Sequence, residues 1–296
     1  EIGSGLVGSE MCIRDSIGTA ENGHTYPGAT SPFGLIQASP ETGNDGWKYC
    51  SGFNLSDDSI IGFAQTHLSG TGGPGLGDIL LLPFSHDKNS FPYKTKYEKD
   101  SQVATAGYYS VVLPDENIQA EMTTTQRTAF YRFIYKASDE PRQLLLDLQN
   151  GIAGWGKNVN QLVLSATMQT PDAYTITGYN DIEAWVHRRC FYAIEFDKPF
   201  QTKKSLPKQP DQKAERLVLS FDTDTLLVKV GLSTVSVEGA LQSLKKENSQ
   251  WNFDNVRNEN QTEWNKQLSV IDIDGTDEEK AVSYTHLRAH ETGAYL

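Results

Sequence analysis

The chain has 296 residues, a formal net charge of −12 and apolar and charged fractions of 38% and 22%, enough length for a large core or two domains. The acidic balance excludes the basic footprint of a nucleic-acid binder. No apolar run reaches the ~18 residues of a transmembrane helix; the longest, Ile79 to Phe84, is strand-sized.

Both ends read as translated sequencing-adaptor sequence, Glu1–Ser16 and Val282 to about Thr292. They are set aside from fold reasoning, residues 282–296 included. On that expectation the natural ends and any signal peptide lie outside the chain. His286, His290 and Glu291, which faintly imitate a metal-ligand pattern, are set aside with them.

Residues 17–234 are predicted to form one β-rich unit. Ile17 to Ser39 holds turns and a short strand at Phe33–Ala38. Ser59–Leu68 and Asp78–Phe84 read as buried strands, and Asp87–Ala106 as a polar loop. From Gly107 strands recur at regular spacing: Tyr108–Leu113, Ile118–Thr124, Ala129–Tyr135, Arg142–Leu148, Gln161–Thr167, Ala173–Tyr179 and Cys190–Phe196. Pro114–Asn117 is a turn. Thr202–Ala214 reads as an exposed loop, and Arg216–Phe221 and Thr225–Leu232 as the last strands. Many short strands with turn punctuation predict a mainly β fold, a large antiparallel β-sandwich.

The pattern changes at residue 235. Ser236 can cap a helix bearing Val237, Ala240, Leu241 and Leu244 on one face. A second helical stretch runs from Trp251 to about Leu268. Residues 235–281 therefore read as an α-helical linker leaving the sandwich.

The candidate site lies in a glycine-rich block from Ile17 to Pro83. It contains Gly23-His24-Thr25-Tyr26-Pro27, Gly43-Asn44-Asp45-Gly46-Trp47, Tyr49-Cys50-Ser51-Gly52, His67-Leu68-Ser69-Gly70-Thr71-Gly72-Gly73 and Gly77-Asp78. Glycine permits positive φ and close backbone approach, so the block reads as tight loops presenting polar and aromatic groups at a surface. Trp47 on such a loop can stack on the apolar face of a pyranose, with Asp45 beside it to bond hydroxyls; its alternative is a place in the core. Tyr49 and Cys50 can line the same pocket. Cys50 is no nucleophile without a basic partner, and a buried structural thiol is expected. His24 and His67 can each bond a sugar hydroxyl or cross a domain interface; a satisfied structural group is the alternative for both. Asp78 can bind a hydroxyl or cation, or hold its turn. Residues 71–77 lack the ending and setting of a phosphate loop. Trp155 and Trp185 are weaker rim candidates. Cys12, Cys50 and Cys190 give no disulfide framework and no metal-ligand spacing; Cys50 and Cys190 can pair or remain buried free thiols, and the latter is expected.

The ordered motifs of this block resemble the amino-terminal domain of the glycoside hydrolase family 92 exo-α-mannosidases. Later stretches extend the resemblance to about Lys280: Tyr192-Ala193-Ile194-Glu195-Phe196, Lys198-Pro199-Phe200 and Glu263-Trp264-Asn265-Lys266. One departure is Ala64-Gln65, where the family usually has Ser-His. The resemblance implies a β-sandwich joined by linker helices to a large (α/α) barrel. It implies a calcium-dependent, inverting exo-α-mannosidase acting on mannose-containing glycans such as N-glycans or mannans. This domain would lend an aromatic residue, taken as Trp47, to one wall of the pocket and would pack against its own carboxy-terminal catalytic domain. The general acid and base and most of the Ca2+ site belong to that barrel, so no catalytic residue and no metal ligand is assigned in this chain. Export is also implied. A stand-alone carbohydrate-binding module is the alternative, opposed by the helical tail. A structural domain of another (α/α)-barrel glycosidase or phosphorylase is a third reading, opposed by the motif block.

Overall fold

The structure is a computed structural model describing residues 17–70, 72–86, 91–136, 140–154, 156–184, 186–271, 273–276, 279–280 and 282–283. The expectations for Glu1–Ser16, Thr71, Trp155, Trp185, His286, His290 and Glu291 lie outside these residues.

In chain order the strands are β1 (Ala29–Thr30), β2 (Gln37–Glu41), β3 (Ser59–Ile60), β4 (Gly62–Ala64), β5 (Leu80–Phe84), β6 (Thr95–Lys96), β7 (Val103–Thr105), β8 (Tyr108–Leu113), β9 (Ile118–Thr124) and β10 (Thr128–Tyr135). Then come β11 (Arg142–Asp147), β12 (Val163–Gln169), β13 (Thr175–Glu183), β14 (His187–Phe196), β15 (Thr202–Ser205), β16 (Arg216–Phe221) and β17 (Thr225–Ser233). Two helices follow, α1 (Val237–Glu247) and α2 (Phe253–Leu268).

The strands build a mainly β fold of two large antiparallel sheets. One has seven strands in the order β1-β2-β4-β5-β11-β16-β15; the other has eight in the order β12-β13-β14-β17-β10-β9-β8-β7. Alternation of side chains along each strand decides what faces the core. Phe63, Leu81, Leu144, Leu146, Leu217 and Leu219 from the first sheet meet Tyr109, Met122, Tyr131, Phe133, Ile194 and Val230 from the second in one buried cluster. Cys50 and Cys190 are buried free thiols.

Several predicted elements differ in detail. Ser59–Leu68 is not one strand: it breaks at Ile61 into β3 and β4 and loses ladder pairing at Gln65. The strand expected at Phe33–Ala38 begins at Gln37, because Ser31–Gly34 closes a turn through Gly34 N–H to Ser31 O at 3.0 Å. Phe33 in that turn takes φ 57°. The polar stretch Asp87–Ala106 contributes β6 and β7, and Thr202–Ala214 begins with β15, whose four residues are all exposed at a sheet edge. Polar, lysine-rich residues suit such an edge, which is why that strand carries no hydrophobic alternation.

The helices cover the outer face of the eight-stranded sheet. Ser236 caps α1, its Oγ accepting from Gly239 N at 3.0 Å. Ala240 and Leu244 pack on Ala193, and a Cβ at Gly231 would lie 2.6 Å from Ala240 O, so glycine sets how closely α1 approaches β17. On α2, Trp264 is fully buried and its Nε1 donates to Thr30 O at 2.7 Å. Between the helices, Lys229 Nζ donates to Asn248 O at 2.6 Å and lies 3.9 Å from the Trp251 ring centroid. Burial lowers the pKa of Lys229 to about 8.

Candidate functional site

The glycine-rich loops converge at one end of the sandwich. Gly70 N donates to His24 O at 2.6 Å, Ile152 N to Leu76 O at 2.6 Å and Ala153 N to Asn44 O at 2.7 Å. Asp45 forms an isolated parallel bridge with Ala153. Loops distant in sequence are thereby stitched side by side through their backbones.

Trp47 opens a single 3-10 turn, Trp47–Tyr49, after Gly46 at φ 88°. Its indole is 60% exposed. The ring of His24 meets it edge-on, with centroids 4.7 Å apart and planes at 76°. Gly72, at φ 61°, closes in beneath: a Cβ there would stand 3.0 Å from Trp47 Cη2 and 3.2 Å from His24 Nδ1. His24 is 6% exposed, and its buried Nε2 has no hydrogen-bond partner among the described residues. A buried ring nitrogen left unpaired is costly, so this orphan marks a place where a bound group or a water completes the bonding. Asp45 is exposed beside Trp47, and its carboxylate makes no hydrogen bond among the described residues.

The other predicted site residues lie below this surface. Tyr49 is half-buried, its ring lying where a Gly43 Cβ would sit, 2.6 Å from Cζ. Cys50 is buried, and desolvation pushes its thiol pKa up, away from nucleophilic chemistry. His67 is 1% exposed and both ring nitrogens are engaged inside the chain. Its Nδ1 lies 2.7 Å from Gln37 O and its Nε2 3.2 Å from Glu41 Oε1. Asp78 is also internal: Arg188 Nη2 donates to it at 2.7 Å and Thr66 Oγ1 at 2.8 Å.

Glu41 and Asn150 are the residues that sequence reasoning missed. Glu41 is fully buried; Asn150 Nδ2 donates to its Oε2 at 2.9 Å, and Asn44 Nδ2 in turn donates to Asn150 Oδ1 at 2.9 Å. A carbonyl oxygen can only accept, so His67 Nδ1 carries a hydrogen. One further proton then bridges Nε2 and Glu41. Burial raises the pKa of Glu41, which favours a protonated carboxyl donating to Nε2, with no net charge enclosed. Two glycines of the block make room for this network: a Cβ at Gly77, φ 91°, would lie 2.6 Å from Glu41 Oε1, and one at Gly52, φ 78°, 2.9 Å from Glu41 Cγ. No motif signals Glu41, because its partners lie 26 and 109 residues away.

The arrangement supplies binding groups: an exposed indole face, a free carboxylate and an imidazole lacking one partner. A glycosidase acid–base pair needs two accessible carboxyl groups about 6.5–9.5 Å apart, and Glu41, being enclosed, is not one of them. Among the described residues no three His, Cys, Asp or Glu side chains are grouped to hold a metal ion. No helix among the described residues is long and apolar enough to cross a membrane.

Comparison with known proteins agrees with this architecture. A curated relative from Arthroderma benhamiae, named an uncharacterized secreted glycosidase, is 25% identical over 298 residues, covering 88% of this chain and 38% of the relative. A family GH92 alpha-mannosidase from Bacteroides thetaiotaomicron, solved with mannoimidazole, superposes with a TM-score of 0.86 at 27% identity, covering 97% of this chain and 40% of that one. A family GH92 inverting mannosidase from the same organism shares the fold, with a TM-score of 0.79 at 19% identity over 95% of this chain and 39% of its own. The chain thus spans about two fifths of the length of these relatives. Residues 239–290 match the glycosyl hydrolase family 92 catalytic domain, so both helices fall largely within that match. Residues 13–233 match the family's N-terminal domain, which is most of the sequence, and the chain belongs to glycosyl hydrolase family 92.

Proposed function

We propose that this chain is the amino-terminal sandwich, with its first helices, of an exported, calcium-dependent, inverting exo-α-mannosidase. The substrate is the terminal α-mannoside of N-glycans or mannans, and this domain forms one wall of the pocket. The observation that carries the reading is the exposed Trp47 held edge-on against His24, whose Nε2 is unpaired. An indole face stacks on the C–H face of a pyranose, and a carboxylate and an imidazole bond its hydroxyls. Family membership and the mannosidase names of the structural relatives support mannose as the sugar. The word secreted in the name of the fungal relative supports export. Calcium belongs with the carboxyl pair in the carboxy-terminal barrel, and no step in this chain runs through it.

The test compares α-mannoside turnover by this chain with turnover by the same sequence continued through a full catalytic barrel. The chain alone is expected to show none, and the longer protein is expected to turn over in a manner abolished by chelating calcium. Turnover by the purified chain itself, or a longer protein inactive on every α-mannoside, overturns the reading.

A further inference from the structure

The outer face of the seven-stranded sheet carries a cavity of about 350 Å³. This lies at the lower end of the range for small-ligand sites. Its floor is apolar, made by Ile61, Leu80 and Leu145. On one wall stand Asp147 and Arg216, register partners on β11 and β16. Both are at least nine-tenths buried, at 4% and 5% exposure. The ring of Phe91, 43% exposed, covers the guanidinium with its centroid 4.4 Å from Arg216 Cζ. Trp47 is not part of the lining.

What remains unbonded in this cavity decides what it can take. Asp147 is already occupied: Oδ1 accepts from Gln149 N at 2.8 Å and Oδ2 from Arg216 Nε at 2.8 Å. Gln209, Asn160 and Gln212 bond one another, which fixes that rim before any ligand arrives. Among the described residues neither Nη of Arg216 makes a hydrogen bond, although the side chain is buried. Lys94 Nζ and Gln209 Nε2, also on the lining, have no partner among the described residues either. The unbonded nitrogen groups on the lining, Arg216 Nη, Lys94 Nζ and Gln209 Nε2, are all donors, and Asn44 Oδ1 is an acceptor beside them. A planar guanidinium edge with two free Nη groups matches an oxyanion in a bidentate fashion. The apolar floor and the Phe91 ring match the C–H face of a sugar ring.

We propose that this cavity binds a monosaccharide-sized sugar anion, a sugar carboxylate or a sugar phosphate, with the oxyanion on the Arg216 Nη groups and Lys94 and the ring between Phe91 and the floor. Asn44 links this site to the loop of Trp47, because its Nδ2 donates to Asn150 Oδ1 and its carbonyl accepts from Ala153 N. The proposal does not depend on the mannosidase reading.

The experiment titrates the 296-residue chain calorimetrically with glucuronate, glucose 6-phosphate and neutral glucose. At least one of the two anions is expected to saturate and to bind about tenfold more tightly than glucose, the effect of one charge-assisted contact. Which anion saturates distinguishes carboxylate from phosphate recognition. Lys94→Ala and Gln209→Ala, both on the exposed rim, are expected to weaken that binding while leaving the melting temperature in place; Arg216→Lys is expected to abolish it. Trp47→Ala is expected to leave it unchanged. Binding no tighter than that of glucose, affinity insensitive to Lys94→Ala, or affinity lost with Trp47→Ala each overturns the proposal.

Discussion

The helix-covered face and the loop end are built from the same strands by opposite means. On the helix-covered face, Phe253 and Val256 pack on Tyr108 and Phe130, Leu244 packs on Ala193, and Trp264 is enclosed entirely. Polar groups there act as pins, such as Trp264 Nε1 on Thr30 O. At the loop end the interior is itself polar: His67, Glu41, Asn150 and Asn44 form one chain of bonds, and glycines make room for it. Apolar burial is non-directional and tolerates adjustment. A buried polar chain works only when every member is satisfied. The first kind of construction sets how stable the domain is; the second sets where Trp47 and His24 stand.

The comparison breaks most visibly at Trp264. Trp264→Ala removes a fully buried indole and leaves Thr30 O without that donor. The expected loss is about 3–5 kcal/mol of unfolding free energy, read by urea denaturation. A loss below about 1 kcal/mol would mean that α2 is a passive appendage. The loop end responds more selectively. Glu41→Leu strands His67 Nε2 and one hydrogen of Asn150 Nδ2, the other staying on Gly77 O at 2.7 Å, and is expected to cost about 2–3 kcal/mol, whereas Glu41→Gln can donate to Nε2 and still accept from Asn150, at a cost of within about 1 kcal/mol.

The same pair carries a pH signature with a definite sign. The unfolded chain releases the Glu41 proton in the ordinary carboxylate range, while burial holds it in the native state to higher pH. Between those two points the native state binds more protons. The contribution of Glu41 is therefore present at acid pH and lost as pH rises through the native pKa. Subtracting the stability profile of Glu41→Gln from that of the wild type is expected to leave a difference that falls with pH across this window. A flat difference would mean that the folded chain releases the Glu41 proton as readily as the unfolded one, so that burial does not hold it.

The two regions also differ in how much of them the sequence discloses. On the strand-and-helix side the local pattern is decisive. Tyr108–Leu113, Ile118–Thr124 and Arg216–Phe221 occur as predicted, Asn117 closes its turn at φ 54°, and Ser236 caps its helix. Alternation, turn residues and caps are short-range signals, and these elements obey them. β15 escapes detection because an edge strand of Thr and Lys has nothing to bury. At the loop end the sequence marks that something unusual is held there but not which residues matter. Glycine content points to tight packing without naming the partner, and the Gly77 contact with Glu41 is visible only once the chain is folded. His24 and His67 illustrate the limit. Both stand in Gly-, Ser- and Thr-rich loops, yet one has an unpaired nitrogen against Trp47 and the other is bonded through both nitrogens.

Trp47 gives the smallest effect on stability and the sharpest test of this division. Its indole is 60% exposed and packs mainly on the edge of His24 and on Gly72. Trp47→Ala therefore removes little buried area, and the expected change in unfolding free energy is within about 0.5 kcal/mol, the range of ordinary surface substitutions. If the indole is a sugar platform, the same substitution in a protein continued through the catalytic barrel lowers kcat/KM on an α-mannoside by about tenfold or more, the equivalent of about 1.4 kcal/mol of transition-state binding. Trp47→Phe, which keeps a smaller aromatic face, is expected to retain part of it. The two readouts separate because an exposed ring on a rigid turn is poor at holding a fold together and well placed to meet a ligand. Should Trp47→Ala instead unfold the domain while sparing turnover, the indole would be a structural cover for His24, and the pocket wall would have to be sought elsewhere on the loop end.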